Sequence, residues 1–216
     1  MKKIINDRLE KISGHLLNTD NILDIGCDHA FLEIYLCLKY NNFIITGSDI
    51  NIKPLEKAKE NILRYHLDDR INLVLADGLD KMNDNIDTIV ISGMGSITMV
   101  NILQNINKYP NIKKLVLSPN NDFPYLREEI NKLGFKIVNE EIIKDKKKYY
   151  LIIEYHKGEE IIDNYFGKLN LNNMINKEYF INIYNKNNLL LKKITDDNKR
   201  KIIIKENDLI LKKLER

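Results

Sequence analysis

The sequence predicts an α/β protein whose core is a doubly wound, mostly parallel sheet. Short apolar runs alternate with amphipathic stretches through the first 157 residues, which is the pattern of strands connected by helices. The first run ends in Asp24-Ile25-Gly26 and leads directly into a helical pattern. The last two runs are separated by only a few residues, so we expect them to pair as an antiparallel hairpin.

The predicted elements follow one another in a regular order along the chain. Helical spacing over 3–17 predicts an opening helix, with Ile5, Leu9 and Ile12 on one face. Apolar runs then predict the parallel strands, at 21–26, 43–49, 71–76, 86–92 and 112–117. The amphipathic stretches predict helices near 30–40, 53–66, 96–107 and 122–133.

The end of the chain has a different pattern. Two strands are predicted at 135–143 and 149–156, joined by a lysine-rich turn over 144–148. The segment 172–216 contains neither glycine nor proline and has the apolar spacing of two helices. The sequence Thr-Asp-Asp-Asn at 195–198 breaks and caps between them, so we expect a helical hairpin or coiled coil.

Composition bounds the function without identifying it. The formal net charge is only +3, so global charge does not point to a polyanionic partner. Cys27 and Cys37 form no CxxC pair and are expected to be reduced thiols. No apolar run approaches the ~20 residues that span a bilayer, and the N-terminus lacks a signal-peptide core, so we expect a cytoplasmic protein. The histidines show no i,i+4 ligand pairing, so no metal site is expected; they are His15, His29, His66 and His156.

The residues that could carry chemistry follow the predicted strands. In strand order they are Asp24, Gly26, Asp28 and His29; Asp49 and Ile50; Asp77 and Gly78; Gly93, Met94 and Gly95; and Asn120. The carboxyl ends of parallel strands lie at one edge of a sheet, where ligands bind in open α/β folds. The first loop is not GxGxxG, and a carboxylate after the first strand suits a cationic ligand better than a phosphate. S-adenosylmethionine (SAM) is therefore the expected cofactor.

Each of these motifs alone has a simpler interpretation. Asp24-Ile25-Gly26 and Asp77-Gly78 are also ordinary turn sequences, and Asp49 is also a good helix cap. His29 could orient a substrate, or it could cap the next helix and hold the loop through Asp28; the structural role is slightly favoured. Together, at successive strand ends, the motifs indicate a SAM-dependent methyltransferase, with Asp49 accepting from the ribose hydroxyls and Asp77 from the adenine amino group.

As a set, these motifs resemble the bacterial TrmK-type tRNA (adenine-22-N1) methyltransferase family, over about residues 5–157. Arg8-Leu9 in the opening helix also resembles the start of that family. The matching motifs are Asp24-Ile25-Gly26-Cys27-Asp28-His29-Ala30-Phe31-Leu32, Gly47-Ser48-Asp49, Asp77-Gly78-Leu79, Ser92-Gly93-Met94-Gly95 and Leu117-Ser118-Pro119-Asn120. Two positions depart from the family pattern: Cys27 replaces a hydroxyl residue and Ser96 replaces a glycine, and both changes should preserve the loops.

The resemblance implies a class I Rossmann-like SAM methyltransferase domain over 1–157 and a C-terminal α-helical coiled-coil hairpin over 158–216. It implies transfer of the SAM methyl group to N1 of adenosine 22 in the D arm of tRNA, with the full L-shaped molecule as partner. A monomer is favoured over a homodimer. The residues expected to bind the cofactor are Arg8, Asp24, Gly26, His29, Asp49, Ile50, Asp77, Gly78, Gly93 and Gly95.

The target adenine assigns roles to three further residues. Its N1 is a neutral nucleophile, so the reaction needs placement and charge stabilisation rather than a strong base. We expect Asp28 to stabilise the developing positive charge, and either Asn120 or the backbone at Met94-Gly95 to hold the base edge. Two basic clusters could bind phosphate or could be solvated surface; they are Lys144, Lys146, Lys147 and Lys148, and Lys192, Lys193, Lys199, Arg200 and Lys201.

Two alternative functions remain open from the residues alone. The first is a SAM-dependent methyltransferase of the same fold that acts on a small molecule or a protein. The second is a non-catalytic SAM-binding module whose coiled coil recruits a partner. Activity that needs intact tRNA and falls steeply with salt would favour the RNA substrate over both.

Overall fold

The computed structural model describes residues 4–41, 43–80, 82–161 and 163–215. The strands are β1 (Ile22–Ile25), β2 (Ile45–Asp49), β3 (Ile71–Leu75), β4 (Thr88–Ser92), β5 (Lys114–Ser118), β6 (Phe135–Asp145) and β7 (Lys148–Lys157). The helices are α1 (Asp7–Gly14), α2 (Phe31–Lys39), α3 (Ile52–Arg64), α4 (Ser96–Leu103), α5 (Phe123–Lys132), α6 (Met174–Leu191) and α7 (Asp197–Leu214).

The strands form a seven-stranded sheet in the order β3-β2-β1-β4-β5-β7-β6. The first five strands are parallel, whereas β7 runs antiparallel to both β5 and β6. In the register, Asp24 of β1 lies beside Gly47 of β2 and Val90 of β4. The strand order reverses between β1 and β4, and a crevice for a ligand opens at the carboxyl ends of the strands at such a point.

Helices cover both faces of the sheet, as the alternating pattern predicted. On one face, α1, α2 and α3 pack against a cluster that includes Ile12, Ile34 and Ile45. On the other face, α4 and α5 pack against a second cluster, which the chain after β7 also joins through Phe166 and Phe180. The helices α6 and α7 therefore share a hydrophobic core with the sheet.

Apolar runs located the strands but misplaced several of their first residues. Phe43, Ile86 and Ile112 are buried in the core, yet each precedes its strand by two residues. An apolar run reports burial, whereas strand membership also requires backbone pairing to a neighbour. The hairpin strands β6 and β7 are longer than predicted, which reduces the turn to Lys146 and Lys147.

The opening helix is also shorter than the predicted 3–17. Asn6 is its N-cap, and its side chain accepts a hydrogen bond from the backbone N–H of Leu9. The helix ends at Gly14, and residue 3 lies outside the described residues. The predicted break before the last helix is confirmed, since Asp196 caps α7 by accepting from the N–H of Lys199.

Two polar arrangements hold the C-terminal helices. The buried Arg127 guanidinium on α5 pairs with Glu140 on β6 at 2.7 Å, and it also donates to the carbonyls of Asn164 and Tyr165. Between α6 and α7, buried Asn187 donates to the Oδ1 of Asn207 at 3.0 Å, which fixes the register of the hairpin. Within the described ranges, no helix is long and apolar enough to cross a membrane.

Candidate active site

The loop after β1 folds back over β2 because Gly26 adopts a left-handed conformation, with φ +80°. The backbone N–H groups of Gly26 and Cys27 both donate to the carbonyl of Ser48, at 2.8 and 3.0 Å. Asp28 and Ala30 also have positive φ, so the loop turns sharply before α2 begins. This local geometry opens the carboxyl end of β1 to a ligand.

The loops after β1 and β4 contact each other across the crevice. A Cβ atom at Gly26 would lie 2.4 Å from the Cε of Met94, so the Met94 side chain occupies the space directly over this glycine. Gly93 also has φ +80°, and a Cβ there would lie 3.4 Å from both terminal nitrogens of Arg8. The two glycines therefore allow the close approach of the neighbouring side chains.

Asp24 is buried at the end of β1 beside a second carboxyl group, that of Glu33 on α2. Burial raises the pKa of Asp24 to about 7, while a hydrogen bond with Glu33 lowers it. Burial and the charge of Asp24 raise the pKa of Glu33 well above its usual range. Sequence reasoning missed Glu33, although an acid within the apolar run of α2 is the signal that could have found it.

Asp28 and His29 lie next to each other at the mouth of the loop. The side chain of Asp28 is largely exposed, and its Oδ1 lies 3.3 Å from the Nδ1 of His29, close enough for electrostatic attraction. His29 does not cap α2, because Ala30 is the N-cap and no side chain accepts there. Its carbonyl accepts from the Nδ2 of Asn61, which ties the loop to α3.

Cys27 lies in the same loop but has no nucleophilic character. Burial raises the pKa of its thiol strongly, and the negative charges of Asp24 and Asp49 raise it further. A thiol in such surroundings stays protonated at neutral pH. The chemistry of this site therefore does not depend on a cysteine thiolate.

The ends of β2 and β3 bring Asp49, Ile50, Asp77 and Gly78 to the same edge. The Oδ1 of Asp49 accepts from the backbone N–H of Asn51 at 2.8 Å, and its carbonyl accepts from Ala76. Ile50 is 61% exposed, so it offers an apolar surface beside this carboxylate. Asp77 is exposed, and Gly78 has φ +55°.

The β5 loop is tied to the β4 loop by a set of short hydrogen bonds. Asn120 donates from its backbone N–H to the carbonyl of Met94 at 2.9 Å and from Nδ2 to that of Gly93 at 2.5 Å. Asn121 accepts at Oδ1 from the N–H of Ser96. A Cβ at Gly95 would lie 3.3 Å from that same Oδ1.

A large cavity of about 1070 Å³ adjoins these loops on the side of β5 and β7. The cavity is lined by Arg8, Gly93 and Asn120 near these loops, and also by residues of the β6–β7 turn and of α6. The Arg8 guanidinium lies 5.2 Å from the ring centre of Tyr150, and its buried Nε has no hydrogen-bond partner. Arg8 and Gly93 both line this cavity, so it adjoins the crevice at β1 and β4.

The structure thus brings all the sequence-predicted site residues to one edge of the sheet and its flanking cavity. The described ranges contain no group of three or more His, Cys, Asp or Glu side chains that could hold a metal ion. The strand order, the antiparallel terminal hairpin and the acidic and glycine residues at the strand ends define a class I Rossmann-like methyltransferase.

Comparison with known proteins gives the family. The chain belongs to the family described as "Methyltransferase domain", whose pattern matches residues 5–153. It is 27% identical over 157 residues to the tRNA (adenine(22)-N(1))-methyltransferase of Bacillus subtilis, covering 72% of this chain and 66% of that protein. Within the methyltransferases, the chain is a member of the bacterial TrmK-type tRNA (adenine-22-N1) family.

Solved structures agree along the whole chain. The structure of M. capricolum TrmK in complex with S-adenosyl-homocysteine has a TM-score of 0.87 and 29% identity, covering 99% of both chains. A protein of the NADB-Rossmann superfamily from Streptococcus agalactiae has a TM-score of 0.90 and 31% identity, covering 97% of both chains. The similarity therefore extends through α6 and α7, beyond the segment that the sequence motifs covered.

Proposed function

We propose that this protein transfers the methyl group of SAM to N1 of adenosine 22 in tRNA. The observation that carries the proposal is the convergence of acidic and glycine-rich strand ends beside a cavity lined with lysine and aromatic side chains. The relatives support it: the B. subtilis protein is named as that enzyme, and M. capricolum TrmK binds the product form of the cofactor.

The residues at β1 and β4 fit the cofactor. Asp24 has a buried oxygen, Oδ1, without a hydrogen-bond partner, and Arg8 has a buried Nε in the same condition. A carboxylate suits the cationic end of the methionine part, and a guanidinium suits its carboxylate. We also assign Gly26, Gly93 and His29 to the cofactor site: the two glycines let Met94 and Arg8 lie against the loop backbone, and His29 holds the loop through Asp28.

The nucleoside part of the cofactor is assigned to the ends of β2, β3 and β4. Asp49 accepts from the ribose hydroxyls, Asp77 accepts from the adenine amino group, and Ile50 provides an apolar wall beside them. Gly78 and Gly95 are assigned to the same part, and a Cβ at either would lie close to the side chain of Ile102 or of Asn121. When bound, SAM supplies an electrophilic methyl group.

The target base is placed by Asp28, Asn120 and Met94. Nδ2 of Asn120 already donates to Gly93, so its Oδ1 faces outward as an acceptor for the adenine amino group. The Met94 backbone is held by Asn120 and keeps its loop at the base edge. Asp28, exposed at the loop mouth, stabilises the positive charge that develops on the methylated ring.

The RNA occupies the large cavity, and the β6–β7 turn supplies its phosphate contacts. Lys146, Lys147 and Lys148 are exposed there, and none forms an ion pair with any residue of the described ranges. Lys144 instead pairs with Glu178 at 2.5 Å. Phosphate contacts offset the few kcal/mol needed to expose a base that is paired or stacked in the D arm.

The second basic cluster, at the tip of the helical hairpin, is less suited to phosphate. Arg200 donates to the carbonyls of Leu191 and Ile194, so it caps α6 rather than facing solvent as a free cation. Lys192 and Lys193 are exposed at the same tip. Because Arg200 is engaged in this way, we assign the main phosphate contacts to the β6–β7 turn.

The remaining assignments follow from this function. Residues 1–157 form the methyltransferase domain, and 158–216 form the appendage that binds the L-shaped tRNA. A monomer is the state that we propose. A tRNA substrate places the reaction in the cytoplasm.

The first test is transfer of labelled methyl from SAM to unmodified tRNA transcripts, with the product nucleoside identified by mass spectrometry. We expect N1-methyladenosine at position 22, loss of cofactor binding in Asp49→Ala, and loss of turnover with cofactor binding retained in Asp28→Ala. Asp68→Ala, an exposed acid remote from the site, is the matched control. Tight SAM binding without turnover on any RNA would contradict the proposal.

The second test compares two pairs of lysines that remove the same charge. Lys146→Gln/Lys147→Gln should weaken tRNA binding and reduce the slope of log affinity against log salt by about 1.4, at roughly 0.7 per phosphate contact. Lys192→Gln/Lys193→Gln is the control at the hairpin tip and should change both quantities less. An equal effect of the two pairs would contradict the placement of the RNA in the cavity.

A further inference from the structure

Glu33 lies beneath the β1 loop without any cationic partner. Its side chain is fully buried, and no described donor reaches either carboxyl oxygen. The group that it faces is the carboxyl of Asp24, which lies within hydrogen-bonding reach and is itself only 4% exposed. Two buried carboxyls in contact cannot both be ionised, so they share a proton.

The backbone around Glu33 leaves space for its side chain. Gly47 on β2 lies beside Asp24 in the sheet register, and a Cβ at Gly47 would lie 2.7 Å from the Oε1 of Glu33. The same Cβ would lie 3.0 Å from the Sγ of Cys27. The carboxyl pair therefore occupies a pocket between α2, the sheet and the loop, which only glycine at 47 leaves open.

The other titratable groups around this pocket do not neutralise it. Cys27 in the loop and Cys37 on α2 are both thiols whose pKa is raised mainly by burial. Asp49 at the end of β2 adds a further negative charge, which acts on Cys27. The Arg70 guanidinium, which lowers the pKa of Cys37, donates to the backbone carbonyls of Phe43 and Cys37 rather than to Glu33.

The proton belongs mainly to Glu33. Burial and the charge of Asp24 both raise the pKa of Glu33, whereas the hydrogen bond from Glu33 opposes the effect of burial on Asp24. Once the pH exceeds about 7, Glu33 is therefore the carboxylic acid that donates and Asp24 is the carboxylate that accepts. One oxygen of Asp24 is left without a donor from the protein.

We propose that Glu33 is a positioning residue for the cofactor: it donates its proton to Asp24, which keeps Asp24 ionised and turned toward the cationic methionine end of SAM. This inference rests on the proposed cofactor site. It goes beyond that site because it assigns a role to a residue of α2 that does not contact the ligand. It also makes SAM affinity depend on the protonation of Asp24.

The test is the dissociation constant of SAM measured by calorimetry from pH 6 to pH 9. In the wild type, affinity should rise with pH through about 7, as Asp24 ionises. Glu33→Gln keeps a donor and should leave that midpoint unchanged. Glu33→Met removes the donor, so the midpoint should rise by about one pH unit, which lowers affinity about fivefold at pH 7 and hardly at all at pH 9.

A purely structural role for Glu33 gives a different pattern. Both variants would then lower the melting temperature, and the midpoint of SAM binding would be the same in Glu33→Met as in Glu33→Gln. That result would overturn the inference. Failure of the wild type to bind SAM at any pH would instead contradict the proposed function.

A second measurement needs neither SAM nor the Met variant. Infrared spectroscopy of the wild type at pH 7.5 should show the C=O stretch of a protonated carboxylic acid, and Glu33→Gln should weaken it to the part that comes from the fraction of Asp24 still protonated. A wild-type spectrum without that band would mean that Glu33 is ionised, which also overturns the inference.

Discussion

Raising the pH should loosen α1 from the sheet, because the cation of His15 holds the C-terminal end of this helix in place. The buried His15 ring lies 2.9 Å from the Oε2 of Glu154 on β7 and 3.1 Å from the Oε1 of Glu141 on β6. Burial alone would lower the pKa of His15, but hydrogen bonds to the two carboxylates outweigh it and raise the pKa to about 9.

The size of the effect follows from linkage. A histidine whose folded pKa exceeds its unfolded value of 6.5 contributes its full stability below pH 6.5 and loses it as the pH rises through about 9. The interval is roughly 2.5 units, which at 1.36 kcal/mol per unit corresponds to about 3 kcal/mol. Burial would raise the pKa of Glu154, but hydrogen bonds with His15 and His156 and the charge of Lys114 lower it to about 2. Since this shift includes the His15 contact already counted, it is not added.

The assay is the melting temperature of the wild type and of His15→Gln at pH 6.5 and pH 9. For a chain of this size 1 kcal/mol shifts the melting temperature by about 2–4 °C, so the variant should lose about 6–12 °C at pH 6.5 and much less at pH 9. His66→Asn, in an exposed turn, is the control. A difference between wild type and His15→Gln that is independent of pH would refute the reasoning.

Two further predictions concern the loop and the C-terminal helices. Gly26→Ala should weaken SAM binding about tenfold in calorimetry, because alanine at φ +80° costs about 1–2 kcal/mol and its Cβ would displace Met94. The control is Gly14→Ala, which has open space around it and should leave SAM binding unchanged. Arg127→Met should destabilise the fold by about 3–5 kcal/mol in urea unfolding, since it leaves the Glu140 carboxylate buried and unpaired. Adding Glu140→Leu should recover most of that loss. If the destabilisations of the two single variants simply add in the double variant, the result would argue against the buried pair.

The sequence predicted the order of the elements and the residues at the strand ends because both depend on local patterns. Burial follows apolar spacing, and the carboxyl ends of parallel strands must share an edge. The sequence did not predict which lysines lie beside the site, because the docking of α6 against β6 and β7 depends on contacts between residues that are distant in sequence. Arg200 shows the same limit, since its role as a cap depends on how the hairpin closes.

Glu33 was missed for a related reason, and a comparison with Glu140 explains it. Both are glutamates among apolar residues, and burial raises the pKa of each. Glu140 faces Arg127 at 2.7 Å and also accepts from the N–H of Lys168, so these donors stabilise its charge. Glu33 faces Asp24 and no cation, so its carboxyl group remains protonated. Glu140 therefore anchors a helix through its charge, whereas Glu33, we propose, orients the carboxylate of Asp24 through its proton. The three-dimensional neighbours of each glutamate decide between these two roles.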